Sequence, residues 1–389
     1  VSATGREAVE QLSALGYVDW DEDADPELRG SIWHDPAATS PGYNLFSDLG
    51  DTVYLVDLEG EVVHRWTLPD TDRSQFAELV EGGRIVTTLG DEVLAMIGPD
   101  SEVLWRLRIA AHHDAAMAPD GSLFVLTNRW IVFEGRQVLF DGIAHVSAEG
   151  ELLDQWWTFD WLAELQPHHR RRVIDSPPAA GERAGAKQRK RGRTPAGGLP
   201  PATTIELRDY YHANSIELLP DTPLGRRDDR FRAGNLMICL HQVDLVMILD
   251  QEDYSVTWSW GASELDWPHM PTMLENGNIL VFDNGSHRDF SRVLEIEPPS
   301  GRIVWSYEAD PPQAFYTKFR GCNQRLPNGN TVICESERGR VFEVTREGRI
   351  VWEYWNPIVE EGRRRRISRF TRYPAEFVAP LLEASAAGG

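Results

Sequence analysis

The chain has 389 residues, 41% of them hydrophobic and 26% charged, which excludes a disordered polymer; its length and three cysteines exclude a small disulfide scaffold. Thirty-nine basic residues against 61 acidic ones give a formal charge of −22, the mark of a solvated surface rather than a nucleic-acid groove. No run approaches the roughly 18 apolar residues of a membrane-spanning helix, so no transmembrane segment is expected.

Residues 1–42 read as an N-terminal extension, with a short helical pattern (REAVEQLSALGY) and an acidic linker (DWDEDADPE). No leader pattern opens the chain, so an export signal or anchor is expected to have been removed or never to have existed. From residue 43 one unit recurs, a turn followed by a strand that usually ends in an aromatic. Its copies are EGEVVHRW (59–66), DSEVLWRL (100–107), EGELLDQW (149–156), DYSVTWSW (253–260), SGRIVWSY (300–307) and EGRIVWEY (347–354). Their final residues are 41, 49, 104, 47 and 47 apart, and four of those five spacings match the roughly 40–50 residues of a four-stranded propeller blade.

The wide interval holds one more unit and an insertion, 158–210, containing HHRRR and GERAGAKQRKRGRTPAGGLPP. Its Gly, Pro and basic residues read as a loop, either a lid or a solvated excursion. A second repeat, MAPDGSLFVL (117–126), MLENGNILVF (273–282) and RLPNGNTVIC (325–334), joins a Gly turn to a β-branched run, as a tight hairpin requires. The predicted fold is therefore all-β, a six-bladed β-propeller over 43–357 rather than two packed sandwiches. A C-terminal tail, 358–389, is expected along its flank. The first copy lacks a complete blade ahead of it, so N-terminal and C-terminal strands are expected to share one blade and close the ring. Cys239, Cys322 and Cys334 have no metal-type spacing, and two fall in apolar strand patterns as buried thiols.

Register converts the repeats into a candidate site. Eight residues before each turn glycine stand His113, His269 and Gly321, and aligning Pro220 with Pro119 puts Asn214 at the same place. Strand alternation turns His212 to the face of Asn214. Seven residues after the turn glycine stand Asn128, His241, Asn284 and Ser336. An antiparallel hairpin brings the two positions together at one mouth of the channel, where a propeller binds its ligand. Trp130, Trp267, Tyr211, Phe315 and Tyr316 lie near that rim and could stack on an aromatic ligand. His34, His64 and His145 share no such register and read as structural or surface; His287 reads as a loop residue.

The segments HHDAAMAPDG, YHANSIELL, CLHQ, HMPTMLENGNILVFDNG and FRGCNQRLPNGNTVICE resemble the bacterial aryl-sulfate sulfotransferases, which need no nucleotide sulfate donor, over roughly residues 41–357. The resemblance implies a six-bladed propeller, an exported protein (periplasmic or extracellular), a small aromatic sulfate donor, a hydroxyl acceptor and no cofactor. It implies that His269 is the nucleophile that forms a sulfo-histidine, with His212, Asn214 and His113 as its partners. The chemistry suits these residues: a neutral imidazole attacks sulfur, a second histidine handles the proton, and fixed donors stabilise the sulfuryl oxygens. Substrate contacts are expected from Asn214, His241, Asn128, Asn284 and Arg320.

One departure stands out: where the family has an arginine before an H-Q pair, this chain has Leu240, and an alkyl group cannot replace a guanidinium fork. Arg320 or Arg129 could supply the charge, although alternation from Gly321 turns Arg320 to the opposite face. Two other functions stay open. A transition metal held by His113, His212, His241 and His269 could replace the lost cation, or the propeller could be a non-catalytic interaction module.

Overall fold

In the computed structural model, residues 20–21, 24–168 and 207–388 are described. The helical pattern at 6–17 and the part of the insertion from 169 to 206 lie outside the described residues. Six blade sheets surround one axis, as the repeat count predicts. All are antiparallel except that Leu207–Asp209 runs parallel to Arg136–Val146 in the third, and a seventh, three-stranded sheet joins Trp20–Asp21, Arg363–Arg365 and Val359–Glu360. In chain order the blades take their strands from 43–67, 77–108, 111–157, 213–260, 268–307 and 322–355. All six copies of the aromatic-ended repeat fall on the fourth strands of their blades, counted outward from the axis, and five of these are outermost.

Two segments drawn outside the propeller belong to it. Arg369–Tyr373 pairs with Tyr43–Ser47, Phe370 opposite Phe46, and is the innermost strand of blade 1. The tail therefore does not simply lie along the flank. Gly30–His34 pairs with Ile350–Trp355 and adds an outer strand to blade 6. The ring is closed because blade 1 begins one strand short, leaving an unpaired edge that the chain's end covers. After that strand, the helix Ala375–Gly388 lays Val378 and Leu381 into the core between blades 1 and 2.

The core is divided among the blade interfaces. Separate clusters of buried side chains fill the seams between blades 1 and 2, 2 and 3, 3 and 4, 4 and 5, 5 and 6, and 6 and 1. This arrangement explains a second recurring ring in the repeat. Two residues before the end of each copy, a ring nitrogen reaches a carbonyl in the next blade's turn: His64 to Pro99 at 3.0 Å, Trp105 to Ala148 at 3.0 Å, Trp258 to Pro298 at 3.2 Å, Trp305 to Arg346 at 2.8 Å and Trp352 to Leu58 at 2.8 Å. The last of these crosses from blade 6 back to blade 1. Blade 3, which precedes the insertion, has Asp154 at that place.

Around the axis, polar side chains link consecutive blades. Gln75 accepts from the His113 amide, Asp114 from Ile216, Glu217 from Met273, and Gln324 from Arg372, while Asn323 donates to the Met270 carbonyl. Tyr373 accepts from the Leu79 amide, and Arg369 pairs with Asp114 and Glu78. Each bond satisfies a backbone or side-chain group that burial would otherwise leave unpaired, at a cost of about 1–3 kcal/mol.

Candidate active site

Irregular backbone aims the histidines. In blade 3 the first strand runs from Ala111 to Ala115 while its partner runs only from Thr127 to Val125, and His113 sits in that bulge with φ +56°. In blade 4 the register shifts between Ala213 and Ser215, around Asn214, and His212 just before the strand has φ +51°. In blade 5 it shifts between His269 and Thr272, with Met270 at φ +45°. Bulges re-aim side chains at sheet ends, and positive φ is uncommon for non-glycine residues and gathers at functional sites. The equivalent place in blade 6 is Gly321, at φ +146°, where an added Cβ would come within 2.6 Å of the Phe282 ring.

Five imidazoles form one row. Ring centres are 5.0 Å apart for His112 and His113, 4.8 Å for His113 and His212, 5.2 Å for His212 and His241, and 4.9 Å for His241 and His269. Second-strand exits meet first-strand entrances as the hairpin geometry predicts: the amides of His241 and Gln242 donate to the carbonyls of His212 and Tyr211. Along the row, Nδ1 of His112 faces Nδ1 of His113 at 3.1 Å, Nε2 of His113 faces Nε2 of His212 at 3.1 Å, and Nδ1 of His212 meets Asp209 Oδ2 at 2.5 Å.

His269 is held separately, by a directed amide. Asn284 donates through Nδ2 to the carbonyls of Thr317 and Arg320, which turns its Oδ1 toward Nδ1 of His269 at 2.7 Å. The Trp267 carbonyl is 3.3 Å from the same nitrogen. The His269 proton therefore sits on Nδ1, and Nε2 is left with its lone pair and no hydrogen bond among the described residues.

Burial sets the charges. It pushes His269 down to about 3 and His112 down to about 4, and it holds His113 and His241 well below the ordinary value, with neighbouring imidazoles adding to the effect. His212 differs. Burial opposes its charge too, but the Asp209 carboxylate, through its charge and its hydrogen bond, and Asp141 together lift it above the ordinary value. The row thus joins one imidazole that favours a proton to four that refuse one.

His113, His212, His241 and His269 come together, joined by Asn284 and by Asn214, whose amide donates to the Pro268 carbonyl at 2.9 Å. Arg320 lies near enough for its charge to act on His113, His212 and His269; it precedes the strand Cys322–Arg325, and alternation does not govern it. Leu240 is fully buried in the core between blades 3 and 4. Arg129 is directed elsewhere, stacked on Trp157 and paired with Asp160. Asn128 makes no side-chain hydrogen bond to the imidazoles.

Of the rim aromatics, Trp267 lies tilted against His241 at 4.6 Å and Phe319 at 5.8 Å, whereas Tyr211 and Phe315 are core. Among the described residues no group of three or more His, Cys, Asp or Glu side chains is placed to hold a metal ion. The four histidines of the metal alternative are strung in a line, two of them turned on each other. His112 and Asp209 were not singled out from sequence. The adjacent pair in AHHDAAM was a usable signal for the first, while Asp209 lay within the insertion.

A model of the arylsulfotransferase (ASST) family matches residues 82–357, a span that contains the whole histidine row. The chain belongs to the arylsulfotransferase family. At that level its activity is sulfate transfer from aryl sulfate donors to phenolic acceptors. No curated protein matches this arylsulfotransferase. Among solved structures, a protein of unknown function from Bacteroides caccae is similar in fold, with 17% identity, TM-score 0.54, and coverage of 86% of this chain and 99% of its own. Virginiamycin B lyase from Staphylococcus aureus is similar at 12% identity and TM-score 0.45, over 85% and 88% of the two chains. No helix among the described residues of the arylsulfotransferase is long and apolar enough to cross a membrane.

Proposed function

We propose that this arylsulfotransferase moves the sulfuryl group through a covalent intermediate on Nε2 of His269. One observation carries the reading: Asn284 holds the His269 proton on Nδ1, so a neutral, unencumbered Nε2 points away from its anchor. An imidazole whose charged form is disfavoured down to about pH 3 is a nucleophile at any physiological pH.

Attack of Nε2 on sulfur breaks the bond to the aryl oxygen. That oxygen takes a proton from His212, the imidazole in the row that favours one, and leaves as a phenol. An acceptor hydroxyl then attacks the sulfo-histidine and returns a proton. Arg320 supplies the positive charge for the equatorial oxygens that Leu240 cannot, and Trp267 with Phe319 offers a face to the donor's ring. The protein is further proposed to work in the periplasm or outside the cell, which cell fractionation tests.

The direct experiment mixes the protein with 4-nitrophenyl sulfate without acceptor and digests it for mass spectrometry. A sulfate adduct on the peptide containing His269, lost on adding a phenol, is the expected result. An intact ester and no adduct would overturn the reading, and an Arg320→Leu variant with unchanged donor kcat/KM would remove that residue from it.

A further inference from the structure

We propose, on the sulfuryl-transfer reading above, that Asp209 and His112 are positioning residues that keep a single mobile proton in the gap between Nε2 of His212 and Nε2 of His113. Neither residue is a neighbour of His269 in the row, and neither takes part in bond making at sulfur.

Hydrogen-bond parity carries the inference. Two imidazole nitrogens 3.1 Å apart need one proton and one lone pair between them. Asp209 accepts Nδ1–H of His212 at 2.5 Å, which leaves Nε2 of that ring facing the gap. The same parity applies at the other end, where Nδ1 of His113 meets Nδ1 of His112 at 3.1 Å. When His212 is protonated, it donates to His113, whose own proton then lies on Nδ1 and is donated to His112. The remaining His112 nitrogen faces Asp141 Oδ1 at 3.7 Å.

Once the gap proton has gone, the pattern can reverse: His113 donates from Nε2, and His112 donates from Nδ1. Both arrangements satisfy every nitrogen between Asp209 and His112, so the row has two states that differ by one proton. Asp209 sets how strongly the proton is held, because its charge is what offsets burial at His212. His112 lets His113 change which nitrogen carries hydrogen. The charges of Asp141, His269 and Arg320 also act on the two rings of the gap, His241 lies 5.2 Å from His212, and Asp91 acts on His112.

The steps balance. In the first half-reaction the His269 N–S bond forms as the S–O bond to the aryl oxygen breaks, and that oxygen leaves with the gap proton. In the second, the acceptor oxygen bonds to sulfur, the N–S pair returns to His269, and the hydroxyl proton returns to Nε2 of His212, restoring the first arrangement of the row. A donor whose phenolate leaves readily as an anion needs the gap proton less than one whose phenolate does not.

The test compares 4-nitrophenyl sulfate with phenyl sulfate, across pH, in wild type, Asp209→Asn, His112→Phe and His112→Gln. Asp209→Asn and His112→Phe should each lose at least about tenfold more turnover on phenyl sulfate than on 4-nitrophenyl sulfate. His112→Gln, whose amide oxygen can accept from His113, should recover part of that difference. In Asp209→Asn the alkaline fall of the phenyl sulfate profile should move to lower pH. Equal losses on both donors, or an unmoved profile, would mean a merely structural role and overturn the proposal. Failure of the wild type to form sulfo-His269 would be a different result, removing the sulfuryl-transfer reading and this proposal with it.

Discussion

The amide of Asn284 and the ring of His269 stand 2.7 Å apart with their polarity already decided, because the amide's nitrogen is committed to two backbone carbonyls on a neighbouring loop. An Asn284→Leu substitution removes the acceptor at Nδ1 and lets the ring turn or change tautomer. We expect turnover of an aryl sulfate to fall on the order of 10²-fold, as misplaced reacting groups do, and the melting temperature to fall as well, because the carbonyls of Thr317 and Arg320 lose their donor at about 1–3 kcal/mol each. A calorimetric scan beside the rate assay separates the two effects.

Chelation should leave activity intact. The four channel histidines form a line rather than a cage, and Nε2 of His113 is turned on Nε2 of His212. Dialysis against EDTA, followed by elemental analysis and assay, checks this; a stoichiometric transition metal whose removal abolishes turnover would favour the metal alternative.

Trp352 closes the ring at the last seam, its indole donating 2.8 Å to the Leu58 carbonyl of blade 1. Trp352→Phe keeps most of the buried area but deletes the donor, so a loss of about 1 kcal/mol is expected. Chemical denaturation with an unchanged m-value would show that stability alone has moved.

Arg369 answers two carboxylates, Asp114 and Glu78, from the strand that completes blade 1. Arg369→Met leaves both acids buried without their cation and should cost about 3–5 kcal/mol. If equilibrium unfolding showed a loss below about 1 kcal/mol, the pairing would not be holding the closure.

Glu217 lies beside the same group. Burial raises its carboxyl to about 8, with Asp114 and Glu78 adding to the shift and Arg369 and the Met273 amide opposing it. The folded state therefore holds a proton that the unfolded chain gives up near 4.5. Its contribution to stability is complete below that value and is lost as pH rises through about 8. Glu217→Gln should flatten the decline in melting temperature between pH 6 and 9; an equally steep decline in the variant would place its cause elsewhere.

Much of the architecture was legible because repetition is a one-dimensional signal. In five of the six units a ring two residues before the end reaches the next blade's turn, and the same contact explains His64, which sequence placed among structural or surface histidines. The candidate site was legible to the extent that register carries it: His113, His241, His269 and Asn284 follow from counting to a turn glycine, and Asn214 from aligning Pro220 with Pro119. Counting failed where the backbone leaves the regular strand. Arg320 lies outside the strand from which alternation was measured, and His112 faces His113 across a bulge, although neighbours on a regular strand point apart.

By itself, then, the order of amino acids determined the number of blades, the position of their turns and the family to which the chain belongs, since each of these is written in spacing and short-range pattern. Tertiary structure alone decided the closing strand at 369–373, the amide that orients His269 and the carboxylate that raises the proton affinity of His212. Those three depend on contacts between segments far apart in the chain or on local turns of φ, and neither leaves a periodic trace in sequence.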